Sequence, residues 1–306
     1  RRREILRIAM GDALNLLSVQ QVCTGLATVD ECTIGAALAL AEREEVNAGE
    51  CDEKTTPQKS DAPQHDSQDA AGESSEDEQR NPLTTEITVI AMGRLGGAEN
   101  GFGSDADVMF VHRPVEGADE KEAQAQANRI VNRLMQLIKQ PVRPAIRAER
   151  PLEVDADLRP EGKQGALVRS LDSYRAYYER WAETWEFQAL LRARPIAGSE
   201  DLGRAFVELI DPYRYPREFT VEQAQQVRRM KARVEHERMP HGADRTRQLK
   251  LGRGGLSDVE WLVQLIQLQH AHKVEGLRTT STLDALDAAV QANLVAAEDA
   301  EVLRDA

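Results

Sequence analysis

The stretch EITVIAMGRLGGAENGFGSDADVMFVHR, residues 86–113, decides the fold. An apolar run from Ile87 to Met92 leads into a turn rich in glycine: Gly93, Gly96, Gly97, Gly101 and Gly103. Ser104-Asp105-Ala106-Asp107 then opens a second apolar run, Val108 to Val111. Two β-branched-rich runs bounded by glycines read as two strands. Side chains alternate along a strand, so Asp105 and Asp107 share one face. Adjacent carboxylates repel, and burial raises their pKa values further, unless a cation lies between them. A hard divalent ion such as Mg2+ takes oxygen ligands and commonly brings phosphates with it. The stretch therefore points to metal-dependent nucleotidyl transfer. Asp-x-Asp at a strand start is also a common turn element. Here the glycine turn before it and the apolar strand after it favour the metal reading.

A third carboxylate on a neighbouring strand would complete such a site. LEVDADLRP, residues 152–160, reads as a strand and offers Asp155 and Asp157, again at i and i+2. Both share a face, so geometry alone does not choose between them. Three carboxylates suffice to hold two Mg2+ ions roughly 3.5–4 Å apart, which clamp an α-phosphate and the departing pyrophosphate. The glycines let backbone N–H groups approach phosphate oxygens, although some serve only to shape the turn.

A chain of 306 residues suits two domains, and 41% hydrophobic with 30% charged residues fits a soluble globular protein. Cys23, Cys32 and Cys51 have no metal-ligand spacing and suggest a reducing compartment rather than a disulfide framework. No apolar run approaches the ~20 residues of a membrane span, and Arg1 to Arg3 do not open a signal peptide. Without an initiating Met, and ending within a helical pattern at Ala306, the chain is expected to be a fragment. Of the net charge of −13, residues 50–80 carry ten acids against three bases. The remainder is only mildly acidic, which argues against general nucleic-acid binding.

Residues 1–46 read as a helical segment packing on the catalytic domain, with a second helix starting near Asp30. Residues 47–85 have few large apolar side chains and read as a disordered acidic linker. Residues 86–170 form the catalytic domain, with a helix that carries Ile130, Val131 and Leu134 and stops before Pro141, and a short strand over 166–169. From Asp172 onward the pattern is helical to the end, and Leu171, Tyr174, Tyr178, Trp181 and Trp185 are expected to share a buried face. The fold class is thus α+β: a small sheet domain carrying the chemistry, then a helical domain over 171–306.

Ser257 and Glu260 have the spacing of a helix capping box. The glycines and Arg253 before them suit either a capped turn or an anion site. Arg159 suits a bidentate phosphate contact or a salt bridge equally. Arg192 and Arg194 flank a helix end and suit the same phosphate contact, with a structural role favoured. His270 and His272 lie two apart on a helix, face different directions, and are expected at the surface or its boundary.

Gly-Gly followed by Ser-Asp-x-Asp resembles the signature of the DNA polymerase β-like nucleotidyltransferase superfamily. GRLGGAENGFGSDADVMFVH, VDADLRPEG, SYRAYYERWAETWEFQALLRARPIAG and LKLGRGGLSDVEWLVQLIQLQHA, in this order, resemble the glutamine synthetase adenylyltransferase family, as does REILRIAMGDALNLLSVQQV near the start. That resemblance implies a polymerase β-like domain with a small mixed sheet, followed by a helical bundle. It implies a bifunctional parent: one half adds AMP from ATP to a glutamine synthetase tyrosine, the other removes it by phosphorolysis. Gly103-Ser104-Asp105 and the run Trp185 to Leu190 resemble the adenylylating half, whereas Leu251 to Gly255 resembles the other half. The resemblance assigns Mg2+ to Asp105, Asp107 and Asp155 and makes ATP the substrate; the reading of the glycine turn and of Arg159 adds Gly96, Gly97, Gly103, Ser104 and Arg159 as nucleotide contacts. Members commonly carry Arg where this chain has Asp157, so Asp157 is secondary. Glutamine synthetase is the implied partner, with the PII signalling protein as a further one, in the cytoplasm and without nucleic acid or membrane. A non-catalytic module docking those partners is the competing expectation.

Overall fold

A computed structural model describes residues 1–52, 82–140, 151–239, 242, 244 and 247–305. Its centre is a five-stranded mixed sheet. β1 (Thr85–Ala91) pairs antiparallel with β2 (Ala106–Pro114), joined through the glycine turn and a short helix, α3 (Gly93–Gly96). β2 then pairs in parallel with β3 (Val154–Asp155) and with β4 (Val168–Ser170). β5 (Arg194–Gly198) closes the other edge, antiparallel to β1.

Both faces of the two central strands are buried, and the strict alternation of their side chains assigns each residue to a layer. Ile87, Val89, Ala91, Val108 and Phe110 face one layer, formed by α2 (Val19–Asp52) and α4 (Glu120–Lys139). Ala27, Ile34 and Leu38 come from α2, and Ala127, Ile130, Val131 and Leu134 from α4. Ile90, Met109 and Val111 face the opposite layer with Tyr174 and Tyr178 of α5 (Leu171–Arg180), Leu190 of α6 (Thr184–Leu190), and Phe206 and Ile210 of α7 (Glu200–Arg214). Tyr174 meets Phe206 edge-on at 5.3 Å between ring centres, a geometry worth about 0.5–1.5 kcal/mol beyond burial. The remaining helices are α1 (Arg2–Ala13), which rests on α2, then α8 (Val221–Glu237), α9 (Leu256–His270), α10 (Thr282–Gln291) and α11 (Ala297–Asp305). The last four share a separate core around Val227, Val263, Leu286 and Ala300.

Several expectations need correction. The second helix starts at Val19, not near Asp30, and reaches Asp52. β1 begins at Thr85, inside the span expected as linker, while residues 53–81 lie outside the described residues. Over Val19–Asn47, α2 is long and apolar enough to cross a membrane by length and composition. The core helix of a folded domain passes the same test, and Ile34 and Leu38 of α2 are buried against the sheet. The strand expected over 152–159 is only two residues long, and the chain turns away from Asp157 onward. Where continuous helix was expected after Asp172, β5 returns to the sheet. Helix α5 ends at Arg180, so its periodicity does not carry to Trp181, which is 74% exposed, or to the half-buried Trp185. Finally, α9 is capped at Gly255 without a side-chain cap, and Glu260 is instead paired with Arg94 at 3.4 Å.

Candidate active site

The register of the two parallel strands builds the site. Ala106 of β2 is opposite Val154 of β3, and Asp107 is opposite Asp155. Backbone bonds lock this register: the Ala106 N–H donates to Glu153 O, and the Met92 N–H to Asp107 O, both at 2.8 Å. Partners in register point to the same face, so the carboxylates of Asp107 and Asp155 meet. Asp105 reaches the same point from just before β2. One ligand oxygen from each of Asp105, Asp107 and Asp155 lies within 4.8 Å of the others. Asp105 is exposed, and the other two are half-buried.

The choice left open between Asp155 and Asp157 resolves through backbone direction. The N–H of Asp157 donates to Asp155 Oδ1 at 2.7 Å and fixes that carboxylate. The carboxylate of Asp157 turns to Lys163 at 3.2 Å and Arg159 at 3.7 Å. Arg159 is itself committed to its loop, donating to Ala156 O (2.7 Å), Gly165 O (3.1 Å) and Lys163 O (3.3 Å). Its guanidinium therefore shapes the turn that follows Asp155.

The glycines divide by role. Gly93 has φ of +51°, and a Cβ there would lie 2.1 Å from Asp107 Oδ2. Only glycine fits this conformation and this approach, a requirement that reading the turn as a group did not single out. Gly96 and Gly97 answer to packing instead. A Cβ on Gly96 would meet Arg192 O at 1.8 Å, and one on Gly97 would meet Arg192 Nη1 at 2.1 Å. Gly103 sits at φ +76°. Ser104 closes the same turn, its Oγ accepting from the Gly101 N–H at 3.0 Å. Arg194 donates to Gly96 O (3.0 Å) and Leu95 O (3.1 Å), and pairs with Glu31. Arg192 pairs with Glu99 at 2.9 Å and bonds Thr280 O and Thr282 Oγ1, tying the turn to α10. Arg192 and Arg194 are thus both engaged in bonds that hold the glycine turn.

Burial, then the charges of Asp105 and Asp155, push the Asp107 carboxyl up to about 6 from an ordinary 3.8. Lys250 and Arg238 act in the opposite direction. Three carboxylate oxygens crowded into this space fit a hard divalent cation, which removes their repulsion. Lys250 and Arg238 were not found from sequence, where more than 130 positions separate them from Asp107. The one available signal was the basic run RTRQLKLGR, 245–253, in an acidic chain.

The profile of the glutamate-ammonia ligase adenylyltransferase family matches residues 61–209, the span that contains all three carboxylates. A bifunctional glutamine synthetase adenylyltransferase/adenylyl-removing enzyme of Nocardia farcinica is 46% identical over 306 residues, all of this chain. The chain belongs to the glutamine synthetase adenylyltransferase family. Adenylyltransferase relatives of the same description occur in Mycobacterium tuberculosis, 46% identical over 307 residues and all of this chain, and in Streptomyces avermitilis, 56% identical over 225 residues and 73% of it. The chain spans 27%, 27% and 22% of the lengths of these adenylyltransferases, in the order given. A second profile, GlnD PII-uridylyltransferase, matches residues 228–306, which include Lys250.

Proposed function

We propose that this chain is the adenylylating part of such an enzyme, moving AMP from ATP to a tyrosine hydroxyl of glutamine synthetase. The tyrosine oxygen bonds to the α-phosphorus, the bond from that phosphorus to the bridging oxygen of the β-phosphate breaks, and pyrophosphate leaves. The hydroxyl proton passes to solvent or to a site carboxylate. The convergence of Asp105, Asp107 and Asp155 carries this reading. Mg2+ held by these residues would neutralise the triphosphate and ease deprotonation of a tyrosine whose free pKa is near ~10.

The residues of the chain supply position. Asp107 and Asp155 are fixed by strand register, and Asp105 stands at the solvent side where two substrates must meet. Catalysis of this kind rests on placement and electrostatics rather than on a covalent intermediate. An Asp-x-Asp opening one strand of an antiparallel pair, with a third Asp on a parallel neighbour, supports membership of the polymerase β-like superfamily. In this reading residues 86–170 are the catalytic unit and residues 171–306 the helical one, with β5 stitching them together. Gly103-Ser104-Asp105 and the run Trp185 to Leu190 favour the adenylylating half. In this reading glutamine synthetase is the partner, which the relatives' names support, and a PII signalling protein is an effector, which the second profile supports; the proposal places all three in the cytoplasm.

The test mixes the purified chain with glutamine synthetase, Mg2+ and ATP labelled in the α-phosphate. Label on the protein with release of pyrophosphate, lost in Asp105→Asn, is the expected result. Release of ADP from adenylylated glutamine synthetase and phosphate would assign the removal reaction instead. Absence of both reactions would reject the enzymatic reading.

A further inference from the structure

Transfer needs a second substrate beside the nucleotide, and a cavity lies next to the carboxylates. It measures about 410 Å³, within the roughly 300–1,000 Å³ of ligand-binding pockets. Two of its walls belong to the segments that carry the site. Ser104 is the residue before Asp105, and Glu153 lies two before Asp155. The bond from the Ala106 N–H to Glu153 O, at 2.8 Å, joins these walls. Ile5 of α1 and Leu26 of α2 add an apolar wall.

Phe102 lines the same cavity and is still 50% exposed. It stands at the tip of a closed turn. The Gly101 N–H donates to Ser104 Oγ at 3.0 Å, and the Ser104 N–H donates to Gly101 O at 3.1 Å. Gly103 takes the positive φ of +76° that the reversal needs. The turn is rooted at the fully buried Asn100, whose Nδ2 donates to Asp30 Oδ2 of α2 at 3.1 Å. The backbone thus holds an aromatic ring out of the core. Folding gains little from a ring so placed, whereas an incoming ring stacked on it would bury both faces of contact. Phe102 is three residues before Asp105, so their Cα atoms lie at most about 11 Å apart. Asp105 is the exposed member of the three carboxylates. The charge of the lining favours a neutral ring over a nucleotide. Among the described residues that line the cavity, Arg1 is the only cation and pairs with Asp30 at 3.6 Å, while the exposed Glu153 adds negative charge. A base that carries a triphosphate is repelled by such a lining, and a phenol ring is not.

We propose that this cavity, with Phe102 as its aromatic wall, receives the acceptor tyrosine of the protein substrate and sets it beside Asp105. This rests on the nucleotidyl-transfer reading and adds its acceptor subsite. Phe102 binds the ring and takes no part in bond breaking. Helices α1 and α2 then do more than cover the sheet, since Ile5 and Leu26 build part of the subsite.

Initial rates of AMP transfer by the full chain, varied in glutamine synthetase and in Mg-ATP separately, test it. Phe102→Ala should raise the KM for glutamine synthetase by about 10-fold or more and the KM for Mg-ATP by less than about twofold. Phe102→Tyr, which keeps the aromatic face, should return the first value to within about twofold of wild type. An unchanged KM for glutamine synthetase in Phe102→Ala, or a KM for Mg-ATP raised as much, overturns the acceptor subsite and leaves the transfer reading standing. Interferometry with immobilised glutamine synthetase separates the two claims. Wild-type chain that binds it without transferring AMP, and binds about 10-fold more weakly as Phe102→Ala, contradicts the transfer reading and leaves the cavity as the docking site. Wild-type chain that neither transfers AMP nor binds glutamine synthetase overturns both.

Discussion

Asp107 and Asp155 stand directly opposite one another in register across the parallel strands β2 and β3. Their like charges are pressed together by the same backbone pairing that holds the sheet edge closed. Strand pairing alone does not require acids at both positions, and the protein without metal bears the cost.

That cost has a pH signature. The folded-state pKa of Asp107 is raised to about 6 from 3.8. Between those values the folded state holds more protons than the unfolded one, so stability falls as pH rises through the window. The penalty is absent below 3.8 and complete above about 6, and its size is about 1–3 kcal/mol. In chelator, Asp107→Asn should melt higher than wild type at pH 8 and close to it at pH 4. Addition of Mg2+ at pH 8 should raise the melting temperature of wild type and leave that of Asp107→Asn nearly unchanged. Thermal melts at the two pH values, with and without Mg2+, check all three expectations.

Gly93→Ala should be far more damaging than its size suggests. Its Cβ would lie 2.1 Å from Asp107 Oδ2 at a φ of +51°. Shifting that carboxylate by about 1 Å is expected to cost about 100-fold in AMP transfer, with stability reduced by about 1–3 kcal/mol. Gly97→Ala should lose stability by displacing Arg192, with the Mg2+-dependent rise in melting temperature preserved. Paired activity and melting measurements separate the two glycines.

Arg192 is only 5% exposed, and its bonds to Glu99, Thr280 and Thr282 join the glycine turn to α10. Glu99 in turn accepts from the Thr282 N–H at 2.6 Å and from Thr282 Oγ1 at 2.9 Å. Arg192→Met should destabilise the fold by about 2–4 kcal/mol, since it strands buried acceptors. Denaturant unfolding should show a lower midpoint for Arg192→Met, while Arg204→Met, in an exposed pair with Asp201, should shift stability by less than about 0.5 kcal/mol.

The central strands were readable because both their faces are buried and glycines bound them, so composition, length and punctuation agreed. β5 was not. Arg194-Pro195-Ile196-Ala197-Gly198 is short, contains Pro and Gly, and gains strand geometry only by pairing with β1 through an irregular register. Local pattern also failed at Ser257 and Glu260, whose spacing fits a capping box while Arg94, distant in sequence, takes the glutamate. The Asp105 and Asp107 pair followed from alternation. Placing Asp155 beside them, rather than Asp157, depends on which residue falls opposite Asp107, a property of strand register that alternation leaves open.

Mn2+ titration followed by electron paramagnetic resonance, with a non-hydrolysable ATP analogue present, bears most directly on the carboxylate site. Wild-type protein should bind the ion, and Asp105→Asn, Asp107→Asn and Asp155→Asn should each lose that binding, while Asp157→Asn retains it. Binding of equal tightness in Asp155→Asn, or no binding by wild type, would contradict the assignment of these three residues as the metal-holding centre.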